Sequence, residues 1–152
     1  MITYAVGDAT QPVGTGPKII AHICNDVGGW GAGFVLAISR RWPEPEAAYR
    51  REQMPLGFCQ LVPVARDLIV ANMIAQRGFP TRQKPCAVDY AALRIALEWV
   101  FRQAAVRGAT VHMPRIGAGI AGGDWDTIAA IIASVMGTVP VTIYDLPTRA
   151  TK

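Results

Sequence analysis

Six short runs rich in Val, Ile and Ala, at 2–6, 18–23, 58–64, 68–74, 110–113 and 141–144, alternate with stretches of helical spacing at 32–41, 44–53, 88–107 and 125–136. That alternation predicts the order β-β-α-α-β-β-α-β-α-β and restricts the chain to the α/β class. The run Ile69-Val70-Ala71-Asn72-Met73-Ile74 is apolar at nearly every position. A strand with one wet face would alternate, so this run predicts a strand covered by helices on both sides. In the longest helix Leu93, Leu97, Val100, Phe101 and Ala104 return at three- and four-residue intervals, while Arg94, Glu98 and Arg102 fall on another face. Asp89 is its expected N-cap and Gly108 its expected stop.

The 152 residues are enough for one average domain, and with 51% hydrophobic against 17% charged residues the chain has ample material for a core. Neither disorder nor a coiled coil fits this composition. The most apolar stretch, 127–141, falls short of the roughly 20 residues a bilayer requires and contains Gly137 and Pro140. Met1-Ile2-Thr3-Tyr4 runs directly into a strand pattern without the basic and apolar regions of a secretory leader, so the expected location is the cytoplasm. Cys24, Cys59 and Cys86 are odd in number and widely spaced, which suits reduced thiols and indicates no metal site, and nothing in the sequence calls for a cofactor. A net charge of +4, from twelve Arg and three Lys against eleven acids, favours anionic ligands without identifying one.

Two glycine clusters, Gly28-Gly29-Trp30-Gly31-Ala32-Gly33 and Gly117-Ala118-Gly119-Ile120-Ala121-Gly122-Gly123, each lie between an expected strand and an expected helix. Glycines at a strand's carboxyl end let main-chain amides approach a ligand, and a helix starting there adds its positive end. Two such loops could enclose a diphosphate; each alone could simply turn the chain. Neither is followed by Gly-Lys-Ser or Gly-Lys-Thr, and neither has the dinucleotide-binding spacing, so P-loop and Rossmann readings are excluded.

Val6-Gly7-Asp8-Ala9, then Ala21-His22-Ile23-Cys24-Asn25-Asp26 leading into the first cluster, then Pro114-Arg115-Ile116-Gly117-Ala118-Gly119, resemble the macrodomain family in order and spacing over almost the whole chain. Within that family the likeness is to the branch of the yeast ADP-ribose 1″-phosphate phosphatase and the terminal ADP-ribose protein glycohydrolase. His22 stands where the MacroD type has the first of its paired asparagines. The resemblance implies a single macrodomain over 1–152, a three-layer α/β/α fold with a six-stranded mixed sheet, and an ADP-ribose pocket at the strand ends. It assigns Asp8 and the Ala9 backbone to adenine, Gly31, Ala32 and Gly33 with Gly117, Ala118, Gly119 and Ile120 to the diphosphate and distal ribose, and Tyr144 and Leu146 to the adenine end. Taken on its own residues, Asp8 in Gly-Asp-Ala-Thr reads first as a turn residue after a strand, and it is the resemblance that assigns it to adenine.

The implied catalytic end contains Asn25, whose amide can donate to and accept from a ribose hydroxyl or a water. His22 is the candidate acid or base, or else a hydrogen-bonded core histidine. Asp124 is a candidate for proton transfer or water positioning, or else a helix cap. Gln76 and Ala121 stand where the terminal glycohydrolase has its lysine and its aspartate. An amide cannot form an imine and a methyl group cannot move a proton, so the lysyl route does not transfer. The expected function is hydrolysis of an ADP-ribose derivative at the distal ribose, such as ADP-ribose 1″-phosphate. The alternatives are a non-catalytic reader of ADP-ribose, or a glycohydrolase acting on ADP-ribosylated protein or nucleic acid, where Arg77 and Arg82 would meet the backbone.

Overall fold

The structure, a computed structural model, describes residues 1–147. The element order is β1 (Ile2–Val6), β2 (Lys18–Asn25), α1 (Phe34–Arg41), α2 (Glu44–Arg51), β3 (Cys59–Ala65), β4 (Leu68–Gln76), α3 (Tyr90–Arg107), β5 (Thr110–Pro114), α4 (Trp125–Met136) and β6 (Val141–Asp145). This is the predicted order. The strands form one sheet, β1-β6-β5-β2-β4-β3, parallel throughout except for β3, which runs antiparallel to β4 at an edge.

Alternate residues of the central strands feed two cores. Ile19, Ala21, Ala71 and Met73 pack under Leu93, Leu97, Val100, Ile128 and Ile132 of α3 and α4. Ile20, Cys24, Val70 and Ile74 pack under Val35, Ile38 and Tyr49 of α1 and α2. The sheet therefore lies between two helical layers, as the unbroken apolar run of β4 requires.

Helix ends differ from the sequence expectations for local reasons. α1 begins at Phe34, not residue 32, because Gly33 adopts φ 83° and ψ −147°, outside helical space. α3 begins at Tyr90 because Val88 pairs with Gln76 across a β-bridge, and Asp89 then caps the helix by accepting from Ala92 N at 2.9 Å. α2 stops at Arg51 because Glu52 is extended. β2 and β4 each run two residues past their expected ends, to Asn25 and Gln76.

One topological feature positions the site. β2 and β5 are adjacent parallel strands, yet the chain leaves β2 toward the α1 layer and leaves β5 toward the α4 layer. Their register ends at Ile20 opposite His112, so Ala21–Asn25 have no partner on the β5 side. Loops diverging to opposite faces of a parallel sheet leave a crevice beyond the strand ends, the usual place for a ligand in such folds.

Candidate active site

The crevice is a cleft of about 310 Å³, at the lower end of small-molecule sites. His22, Asn25, Gly31, Ala32, Gly33, Gln76, Gly117, Gly119 and Ile120 all line it, together with Phe79 and Arg115. Both glycine clusters thus face one space.

Asn25 latches the first loop. Its Oδ1 accepts from Val27 N at 3.1 Å and Gly29 N at 2.9 Å, and its Nδ2 donates to Gly29 O at 2.8 Å. The Tyr49 hydroxyl donates to the Asn25 carbonyl at 2.6 Å and lies 2.9 Å from Oδ1. Asp26 Oδ1 accepts from Gly78 N at 2.8 Å while Gln76 Nε2 donates to Gly78 O at 2.9 Å, tying the ends of β2 and β4 together. Trp30 pins the rest of the loop, with its ring buried edge-on against His22 and its Nε1 donating to Ser39 Oγ at 2.7 Å.

The loop then delivers the start of α1 to the cleft. Gly33 occupies the N-cap, and no side chain caps the helix. Leu36 N donates to Gly33 O at 3.1 Å, which leaves the amides of Phe34 and Val35 at the open end of the helix, where its partial positive charge faces the cavity. Across the cleft, Gly117 at φ 72° turns the second loop, and Gly123 N donates back to its carbonyl at 2.7 Å. Ile120 overhangs from this loop, its Cδ1 3.3 Å from where a Cβ on Gly33 would stand. The two loops meet over the cavity.

His22 is fully buried, and its Nε2 lies 2.6 Å from Asn72 Oδ1. Asn72 Nδ2 donates to Pro45 O at 3.0 Å and to Gln60 Oε1 at 3.1 Å. Both amide hydrogens are thereby used, Oδ1 can only accept, and the proton of His22 must sit on Nε2. Its Nδ1 is left without a partner among the described residues. Burial pushes the His22 pKa down to about 4, against the opposing Asn72 bond, so the ring is neutral. Burial also raises the Cys24 thiol well above its ordinary value.

The residues assigned to the adenine end sit beside the cleft, not along its walls. Gly7 N donates to Asp145 O at 2.8 Å, which places Asp8 next to the end of β6. Asp8 Oδ1 accepts from Thr10 N at 2.8 Å and Thr10 Oγ1 at 2.7 Å, and Arg41 lies 3.7 Å from Oδ2. Burial works to raise the Asp8 pKa, but the Thr10 bonds and Arg41 outweigh it and hold the carboxyl below its usual range. Tyr144 is buried, its hydroxyl accepting from Val13 N at 3.0 Å and lying 2.7 Å from His112 Nδ1, while Leu146 is exposed. Ala9 is buried. Asp124 caps α4 by accepting from Thr127 N at 2.9 Å and Thr127 Oγ1 at 2.7 Å, and neither it nor Ala118 lines the cleft.

Sequence reasoning gave no role to Arg115, Phe79, Tyr49 or Asn72. Arg115 joins the cleft to the Asp8 end: its guanidinium binds both carboxylate oxygens of Asp145, at 2.7 and 2.9 Å, and lies 5.1 Å from the Tyr4 ring and 5.2 Å from the Trp125 ring. Phe79, half exposed, closes over Gly29, where a Cβ would meet its ring at 2.5 Å. Its signal was an aromatic in an otherwise polar Gly/Pro/Arg loop. Among the described residues no group of three His, Cys, Asp or Glu side chains is placed to hold a metal ion, and no helix is long and apolar enough to cross a membrane.

No protein-family model matches the chain. The solved structure of a macrodomain protein from Streptomyces coelicolor is 47% identical to it, covers 95% of this chain and 99% of its own, and superposes with a TM-score of 0.83. The chain belongs to the macrodomain family. Its mixed six-stranded sheet between two helical layers is the macrodomain architecture that the motifs implied. Among curated proteins, this macrodomain is 32% identical over 161 residues to mouse chromodomain-helicase-DNA-binding protein 1-like, across 96% of its own length but only 18% of that relative. It is 25% identical over 175 residues to the ADP-ribose 1″-phosphate phosphatase of Saccharomyces cerevisiae, across 95% of its own length and 98% of the yeast protein.

Proposed function

We propose that this macrodomain binds ADP-ribose in the cleft and hydrolyses a derivative at the distal ribose, with ADP-ribose 1″-phosphate the leading substrate. The observation behind the reading is the uncapped start of α1 facing the second glycine loop across one cavity, with the loops in contact at Gly33 and Ile120. A diphosphate there would receive amides of Gly31, Ala32 and Gly33 from one side and of Gly117, Gly119 and Ile120 from the other, Ala118 N being taken by Arg115 O. Adenine would lie beside Asp8 and Ala9, toward Tyr144 and Leu146, and the distal ribose would lie between Asn25, Gln76 and Phe79. The near full-length likeness to the yeast phosphatase supports the choice of substrate.

In this reading the main catalytic contribution is positioning, with water as the nucleophile. Asn25 holds the loop that faces the ribose. His22, neutral and bonded to Asn72, shapes the cleft wall, and Asp124 keeps α4 and the second loop in place. The chain acts as a single macrodomain over 1–152 in the cytoplasm, where Cys24, Cys59 and Cys86 stay reduced. Incubation with ADP-ribose 1″-phosphate should release inorganic phosphate and leave ADP-ribose; absence of turnover above buffer removes the hydrolase reading.

One observation favours a second reading, a reader that binds ADP-ribose without consuming it. The titratable side chains lining the cleft are His22, held neutral, Cys24, held protonated, and Arg115, ion-paired with Asp145. None of them is poised to exchange a proton near neutrality. Tight binding of ADP-ribose with no loss of any derivative identifies this reading.

A further inference from the structure

α3 carries two apolar faces. Ala92, Leu93, Ala96, Leu97, Val100 and Ala104 are buried against the sheet and α4, while Ile95, Trp99 and Val106 are exposed at 50%, 47% and 84%. With Arg102, whose guanidinium lies 5.4 Å over the Trp99 ring, these three form one stripe on the outer surface. The half-exposed Phe58 extends the patch beside Ile95, against which the Gly57 backbone packs. Single exposed apolar residues are ordinary, but three on one helical stripe around an aromatic mark a surface suited to a partner.

The stripe is its own complement. Ile95, Trp99, Arg102 and Val106 are spaced by four, three and four residues, the seam spacing of packed helices, and the sequence of spacings is the same from either end. We propose that two copies of this chain pack α3 against α3, antiparallel, about a two-fold axis passing between Trp99 and Arg102. That axis sets Ile95 of one copy on Val106 of the other, and Trp99 of each against Arg102 of the other. The cation that already covers one face of Trp99 then meets a second indole as water is excluded, which strengthens both contacts. A self-complementary patch of this kind is what a two-fold interface requires. No residue of α3 lines the cleft, so the pairing leaves both clefts open.

Sedimentation equilibrium of the whole chain, loaded from the micromolar to the millimolar range, tests this. The mass is expected to rise with concentration from 16.3 kDa toward twice that value. Trp99→Glu and, independently, Val106→Glu are expected to weaken self-association by about tenfold or more while leaving ADP-ribose affinity unchanged. The unchanged affinity shows that the variants fold. Oxidation should cross-link the double variant Ile95→Cys, Val106→Cys between copies, while each single variant behaves as the wild-type thiols do. A wild-type mass that stays monomeric at millimolar concentration, association that survives Trp99→Glu and Val106→Glu, or cross-linking by Ile95→Cys alone each overturns the proposal.

Discussion

His22 donates from Nε2 to Asn72 Oδ1 at 2.6 Å across two neighbouring strands, in a relay that continues from Asn72 to the Pro45 carbonyl and, through Gln60, to the Ala48 carbonyl. The relay leaves a neutral imidazole in the cleft wall with one bare nitrogen. A buried acceptor without a partner costs free energy.

The neutral state has a consequence for stability. The pKa of His22 is depressed to about 4, mainly by burial, and so is that of His112, where burial is joined by Lys18. Unfolded, both titrate near 6.5. Above that pH neither state binds the proton and no stability is lost. As pH falls from 6.5 toward 4, the unfolded chain binds protons that the folded one refuses, and stability declines by up to about 3 kcal/mol per histidine. Urea midpoints measured between pH 7.5 and 4 should fall mainly across this window, and His22→Phe should flatten part of the slope. A pH-independent midpoint contradicts the buried neutral assignment.

Gly31 separates binding from folding. Nothing lies within 4 Å of a Cβ built there, and its φ is not in the left-handed region. Gly31→Leu should therefore fold with a thermal midpoint near wild type, while its side chain enters the cleft and weakens ADP-ribose by about tenfold or more, 1.4 kcal/mol. Unchanged affinity in a folded Gly31→Leu protein places the ligand elsewhere.

Asp8→Ala should cost about 1.5–3 kcal/mol of ADP-ribose affinity if its carboxylate accepts from the adenine amino group. The loss should vanish with an inosine analogue, which lacks that amino group. Equal losses with both nucleotides assign Asp8 to holding Thr10 and Arg41.

Asn25→Ala should lower stability as well as affinity, because it unfastens Val27, Gly29 and Tyr49 together. Stranding buried groups of this kind costs about 1–3 kcal/mol. Denaturant titration together with ligand titration separates the effects. A variant with native stability and lost turnover makes Asn25 a group that acts on substrate directly.

The strand and helix order could be read from the chain because each element has its own apolar period, and the cleft's glycines because they interrupt that period at strand ends. What could not be read depends on register. Asn72 is visibly polar inside an apolar run, but its partner His22 becomes apparent only when β2 is set beside β4 in the observed alignment. Arg115 and Asp145 lie 30 residues apart and meet because β5 and β6 end together. Tyr49 carries no signal of its own within the α2 stretch, and only the packing of α2 under β2 brings its hydroxyl to Asn25. Asp124 stands one residue before a helix, and its carboxylate is satisfied locally by Thr127.

Calorimetric titration of the purified chain with ADP-ribose tests the central claim, that two glycine loops and the start of α1 form one diphosphate site. Saturable one-to-one binding in the roughly 1–100 µM range, abolished or strongly weakened by Gly31→Leu, is the expected result. No binding by the folded wild-type chain, or binding untouched by that substitution, contradicts it.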